Sequence, residues 1–354
     1  MGIITALFIL SFLVFFHELG HFTAARFFGV QVDVFSIGFG KKLLTKQIGK
    51  TLWSFSLIPL GGYVKMKGQD DSDPTLINHD DSYNTKKPWQ RIIILLAGPF
   101  ANFLLAFLIY LSIATIGVPT LLSTVGEVNS TQPAYTAGLL TGDKITEING
   151  NPIQYWKEIG DAIKNAPPTL KMTVLRENNY VELTVTPRTQ RMINIFQEEI
   201  ERKIIGIKPD INSSINIPYN PIESLEYAYA QTKASSLLIA KSIQKLVAGA
   251  VPLDQMGGVV SIVDVTAKAS HVGFIALLFF TALISVNLGV LNLLPIPALD
   301  GGHIVFNLYE MITRKAPNEE VMYKLTLLGW GILLSMMLLG LYNDINRIIM
   351  RMLG

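Results

Sequence analysis

Four stretches of the chain are long and apolar enough to cross a bilayer, and no other feature constrains the fold as strongly. A spanning helix needs about 20 mostly apolar residues. The first stretch covers residues 1–28, with no formal charge before Glu18; uncharged runs follow at 92–126, 272–299 and 325–343. Charged residues make up only 16% of the 354, against about 25% in soluble domains, so part of the chain must live in lipid. The first stretch lacks the basic leader and the A-x-A site of a cleaved signal peptide and reads as a permanent span. The expected fold is an α-helical polytopic membrane protein with four transmembrane helices, at 1–28, 92–118, 271–303 and 325–346.

The short loops suggest an orientation. Lys41, Lys42, Lys46, Lys50, Lys65, Lys67, Lys86, Lys87 and Arg91 crowd the loop 29–91, which the positive-inside rule places in the cytoplasm. Arg314, Lys315 and Lys324 put the loop 304–324 on the same side, against Arg347 and Arg351 in the tail 347–354. Both termini are then extracytoplasmic, as is the only long soluble insertion.

That insertion is expected as an α+β domain over 119–210 followed by a helical segment over 211–270. Strands are predicted at 125–128, 144–148, 170–176 and 180–186, and short helices at 134–139 and 155–165. Asn149-Gly150 and Glu177-Asn178-Asn179 supply turns. Residues 222–247 show helical periodicity, with Leu225, Tyr229, Ile239, Ile243 and Leu246 among charged residues, and are expected to pack on their own domain rather than lie in the lipid interface.

Composition narrows the chemistry. A formal charge of +2 is too balanced to drive binding to a phosphate polymer, so nucleic acid is not an expected partner. With no cysteine and only five histidines, at 17, 21, 79, 271 and 303, any metal must sit on imidazole and carboxylate. The first span holds His17-Glu18-Leu19-Gly20-His21. Residues four apart share a helix face, so both imidazoles can grip one ion with Glu18 one step round. A metal there acidifies water, and the carboxylate takes its proton. A charged acid deep in a bilayer costs about 2.5–3.5 kcal/mol, and nothing structural calls for three polar residues together.

A hydrolytic zinc site usually takes three protein ligands. The third span ends Asn292-Leu293-Leu294-Pro295-Ile296-Pro297-Ala298-Leu299-Asp300-Gly301-Gly302-His303. Two prolines break the helix, which at membrane depth is tolerable only where the freed backbone is buried in protein or lines a cavity. Asp300 is the acid at that break and the best ligand candidate; His303 is close enough to compete, whereas His79 and His271 read as ordinary polar residues. At 1.5 Å per residue His17 lies about 24 Å into its span, level with the break in the cytoplasmic half of the bilayer.

The pairing of His17-Glu18-x-x-His21 with Asn292-x-x-Pro295-x-Pro297-x-Leu299-Asp300-Gly301-Gly302 resembles the site-2 protease family of intramembrane zinc metalloproteases. Ala97-Gly98-Pro99-x-x-Asn102 in the second span matches a further family feature, read as close helix packing. Ala137-Gly138-Leu139-Leu140-x-Gly142-Asp143-x-Ile145 and Ile148-Asn149-Gly150 resemble a PDZ domain. The branch most similar is the bacterial regulator-of-sigma-E protease, although the insertion has room for one PDZ domain rather than two. The resemblance implies one zinc ion on His17, His21 and Asp300, Glu18 as general base, and Asn292 holding substrate backbone. It also implies single-span membrane proteins as substrates, such as anti-sigma factors already trimmed outside, and remnant signal peptides. The location implied is the bacterial inner membrane, with the active site toward the cytoplasm.

In the cytoplasmic loop, residues 51–57 alternate, with Trp53, Phe55 and Leu57 on one face, and 63–66 is predicted to fold back on them as a β-hairpin. An open strand edge can hold an unwound substrate by strand addition, so Trp53 and Phe55 are substrate-binding candidates; a hairpin merely anchored by its aromatics is the plainer reading. Broken helices and intramembrane acids also build transport sites, which leaves a metal- or proton-coupled transporter as the alternative function.

Overall fold

The computed structural model describes residues 2–69, 79–165 and 167–353. In chain order the elements are α1 (Gly2–Phe27), β1 (Val32–Ile48), β2 (Thr51–Met66), α2 (Pro88–Ile116), β3 (Val118–Leu121) and β4 (Val125–Val128). Then come α3 (Pro133–Thr136), β5 (Lys144–Ile148), β6 (Asn151–Pro152), α4 (Trp156–Lys164), β7 (Leu170–Arg176), β8 (Asn179–Val185), β9 (Arg188–Ile193) and β10 (Glu199–Ile204). The chain closes with β11 (Ile207–Pro209), β12 (Ser214–Ile217), α5 (Pro221–Val247), α6 (Val259–Val272), α7 (Phe274–Asn292), α8 (Asp300–Thr313) and α9 (Glu319–Leu353). Among the described residues α1, α2, α7 and α9 are long and apolar enough to cross a membrane. The residues divide into two compact units, 1–111 with 226–354, and 112–225.

In the first unit, α1 is apolar on all sides, yet its buried residues Ala6, Ile9, Leu13, His17, His21 and Ala25 fall three or four apart on one stripe. A helix in lipid turns its polar groups toward protein, and both histidines lie on that stripe. Small residues let helices approach in a membrane: a Cβ on Gly20 would come within 2.2 Å of the Ala97 carbonyl oxygen of α2. Helix α7 meets α2 where Ser285 Oγ donates to the Asn102 carbonyl at 2.8 Å.

The sheet beside α1 departs from the predicted hairpin. Residues 51–56 pair with 42–48 through the Ile48↔Thr51 end, and 62–66 pair with 32–37 instead of folding back on 51–57. The 32–37 run also borders 52–55. The lateral order is therefore 62–66, 32–37, 51–56, 42–48, so Trp53 and Phe55 belong to an inner run. Gly38 and Gly40, at φ +89° and +83°, turn β1 between its halves, a conformation that costs glycine little. Alternation of side chains told which face each run would bury but not which run would be its neighbour. The sheet packs on α1 through Phe35, Val64, Met66 and Val32. Phe35 stacks on Trp53 with centroids 4.3 Å apart, and Phe22 meets Trp53 edge-on at 5.3 Å.

The second unit centres on a four-stranded antiparallel sheet in the order β6-β5-β7-β8. Its turns use Asn149-Gly150 (φ 52° and 81°) and Glu177-Asn178 (φ 46° and 66°), the doubly left-handed pairs of type I′ two-residue hairpins. Ile145, Ile148, Ile159, Leu170, Met172 and Val174 form its core. Strand β4 pairs with β11 and β3 with β12. Residues 214–217 are therefore a strand of this unit, and the helical segment expected from 211 begins at Pro221. The β9–β10 hairpin was also not predicted.

Candidate metal centre

The donors come from two elements. His17 and His21 come from adjacent turns of α1, and Asp300 is the first residue of α8. The chain reaches Asp300 through the break after α7, where Pro295 and Pro297 cannot continue a helix and short turns replace it, Ile296 N–H donating to Leu294 O and Leu299 N–H to Ile296 O. The glycines after Asp300 are needed for contact. A Cβ on Gly301 would stand 2.3 Å from Leu294 O, and one on Gly302 2.3 Å from Ile296 O. Only glycine lets the first turn of α8 press onto the broken segment and hold Asp300 where it is.

His17 and His21 are 9% and 6% exposed. His17 Nε2 lies 3.2 Å from Asp300 Oδ2, His21 Nε2 3.3 Å from the same oxygen, and the two Nε2 atoms are 3.2 Å apart. Donors about 2.0–2.1 Å from a tetrahedral zinc ion stand roughly 3.3–3.4 Å from one another, so the three atoms have the spacing of one tetrahedral face. Their chemistry agrees. His21 Nδ1 is 2.8 Å from Ile94 O; a carbonyl only accepts, so Nδ1 carries a proton, and in the neutral ring Nε2 then carries a bare lone pair. Asp300 Oδ2 is buried without a hydrogen-bond partner. In the neutral His21 ring, Nε2 and Asp300 Oδ2 thus meet as lone pairs, which suits a cation. Among the described residues these three are the only such donor cluster; His303 stays outside it, against Phe306 of its own helix.

Glu18 is one residue beyond His17 and lies against the run 62–66. The run 62–66, paired on one side with 32–37, thus packs beside the site: a Cβ on Gly62 would be 3.3 Å from Glu18 Cγ. Trp53 and Phe55 lie two runs away from that edge, flanked by neighbours on both sides. Asn292 is the last residue of α7, its amide donating to Leu288 O at 3.0 Å.

The close helix packing expected of Gly98 and Asn102 falls on the imidazoles themselves. Gly98 brings the α2 backbone against the imidazoles, since its Cβ would lie 2.3 Å from His21 Nε2 and 2.9 Å from His17 Cε1. Asn102, one turn on and fully buried, places its carboxamide 3.2 Å from His17 Nδ1. Their signal was a small residue and an uncharged amide four apart on one face of an otherwise apolar span.

The sequence profile described as Peptidase family M50 matches residues 5–336. The chain belongs to that family. A Campylobacter jejuni protein named as a zinc metalloprotease is 46% identical over 342 residues, covering 96% of this chain and 92% of its own length. A Helicobacter pylori protein of the same designation is 41% identical, covering 98% and 99%, and one from Rickettsia conorii is 35% identical over similar coverage. This M50 protein is a zinc metalloprotease, and its described residues include four apolar helices of membrane-spanning length. His17, His21 and Asp300 fit a zinc ion by number, spacing and chemistry, with no cysteine in the chain to compete.

Proposed function

We propose that this M50 metalloprotease hydrolyses peptide bonds within or near the transmembrane segments of single-span membrane proteins, as the second cut of a regulated intramembrane proteolysis. The observation that carries the reading is the donor triangle of His17, His21 and Asp300, set on the packed stripe of an apolar helix with Glu18 beside it. Zinc in such a site acidifies water and polarises the scissile carbonyl. Glu18 accepts the water's proton and returns it to the departing amine. The break at 293–299 supports a site reached by water, since irregular backbone at membrane depth needs a protein or aqueous lining.

A helix must unwind before its carbonyl can be attacked. In this reading the substrate chain adds along the free edge at 62–66, beside Glu18, and the amide of Asn292 steadies its backbone. Trp53 and Phe55 then support the sheet, because an inner run has no edge to offer. The inserted unit serves as a single PDZ-like domain; its four-stranded sheet with two short helices supports that reading, and its role is to screen out substrates with bulky ectodomains. By the lysine-rich loop 29–91 the catalytic end opens to the cytoplasm of a bacterial inner membrane and the inserted unit is extracytoplasmic. The sigma-E regulator branch, with anti-sigma factors or remnant signal peptides as substrates, fits the same arrangement. Membership of a peptidase family does not favour the transporter alternative.

The experiment is mass spectrometry of membrane peptides that accumulate in cells expressing Glu18→Gln. Enrichment of single-span segments supports the reading; a peptide profile unchanged from that of the wild type would overturn it.

A further inference from the structure

The donor triangle needs a bare Nε2 on each histidine. A neutral imidazole carries one proton, so a bare Nε2 requires a protonated Nδ1, and a buried Nδ1–H requires an acceptor. For His21 the acceptor is the Ile94 carbonyl at 2.8 Å. It lies one residue before Leu95, whose carbonyl loses its helical donor because Pro99 has no N–H. For His17 the group at Nδ1 is the side chain of Asn102, 3.2 Å away.

A carboxamide can offer either its oxygen or its nitrogen after a half-turn about its last bond, and the two orientations have opposite consequences. With Nδ2 toward His17, as the structure places it, the amide donates to Nδ1. The His17 proton then moves to Nε2, where it points at Asp300 Oδ2, 3.2 Å away, and closes the triangle against a cation. Asn102 Oδ1 is left buried with no partner. With Oδ1 toward His17, the oxygen accepts Nδ1–H and Nε2 is bare. Metal-ligating histidines almost always donate their other N–H to a carboxylate, carbonyl or water.

We propose that Asn102 is a positioning residue whose side-chain oxygen fixes the tautomer of His17 that can hold zinc. The backbone around it is built for this role. Gly98, one turn earlier, admits α2 to contact with both rings, and Ser285 Oγ holds the Asn102 carbonyl at 2.8 Å. Asn102 itself is 0% exposed. An amide buried in an apolar span is costly without a polar partner, and a leucine would fill the same space.

The inference rests on His17, His21 and Asp300 being the zinc ligands, so the experiment measures both. Full-length protein in detergent is titrated by chelator competition for zinc, and the unfolding midpoint of each apoprotein is recorded. Asp300→Ala should lose zinc, which secures the ligand set independently. Asn102→Leu and Asn102→Asp both keep the size of the side chain, but only the second keeps an oxygen acceptor. The expected result is zinc affinity 10–100-fold weaker in N102L and undiminished in N102D. Equal loss in both would assign the contact to nitrogen donation, and retention in both would reduce Asn102 to packing; either overturns the proposal. Should N102L fail to fold, zinc-loaded wild-type protein labelled with 15N in its histidine rings decides the matter, with an Nδ1–H tautomer expected at His17 and an Nε2–H tautomer refuting it.

Discussion

The most exacting consequence of the helix packing concerns one methyl group. Gly98→Ala places a Cβ 2.3 Å from His21 Nε2 and 2.5 Å from its Cε1, where ordinary contacts begin at 3.4 Å. The ring or the helix must yield by about 1.1 Å, several times the tolerance of about 0.2 Å expected of metal–ligand distances. Neither can yield cheaply. His21 Nδ1 is tied to Ile94 O on the same helix, and α2 is held against α1 at Gly20, whose own Cβ would strike Ala97 O at 2.2 Å. Overpacking of this kind costs about 1–3 kcal/mol, which α1 and α2 can absorb by separating. The donor triangle cannot absorb it. G98A is therefore expected to fold and enter membranes while binding zinc at least 100-fold more weakly, a loss at the upper end of what indirect perturbation of a ligand causes. The assay is zinc stoichiometry of purified full-length protein, followed by chelator competition. Wild-type affinity in G98A would show that the α2 backbone does not abut the imidazoles, and would refute the packing from which the site is built.

Other outcomes follow from separate parts of the structure. A photo-crosslinking residue at Tyr63 is expected to capture substrate and one at Phe55 is not, because only the 62–66 run offers a free edge beside Glu18; capture from both or from Phe55 alone would contradict the register. Arg176 donates to both oxygens of Asp143, at 2.8 and 2.7 Å, and to Gly138 O, while Asp143 is 1% exposed. Arg176→Met is expected to destabilise the inserted unit by about 1.5–3 kcal/mol, seen as a lower unfolding midpoint of the full-length protein with zinc content unchanged. Gly301→Ala would drive a Cβ to 2.3 Å from Leu294 O and is expected to displace Asp300 and lower zinc occupancy; full occupancy would show that the start of α8 is free to move.

How much of this was legible depends on how local each signal is. The spans were readable because lipid leaves few alternatives to an apolar helix, and α1, α2, α7 and α9 stand where the four stretches lie. His17, Glu18 and His21 announced themselves by a four-residue spacing on one helix. Asp300 was found through the two prolines that stop α7, a local chemical fact. The sheet was harder: alternation in 51–57 says which side chains share a face, but the choice of 32–37 as neighbour of both 52–55 and 62–66 is tertiary. Likewise 214–217 is too short to announce a strand, and only its pairing with 118–121 makes it one. Gly98 and Asn102 were visible as a motif and read as close helix packing, but that Asn102 meets a histidine 85 residues earlier in the chain is a tertiary fact. A missing Cβ has meaning only once the atom that would strike it is known.

The central claim is that Glu18 moves the proton while His17, His21 and Asp300 hold the zinc. It is tested most directly by measuring zinc content and peptide-bond cleavage side by side in Glu18→Gln and wild-type protein, on a single-span substrate in detergent or vesicles. The account predicts one zinc ion per chain in both and cleavage abolished in E18Q. Cleavage that persists in E18Q with zinc bound would contradict it.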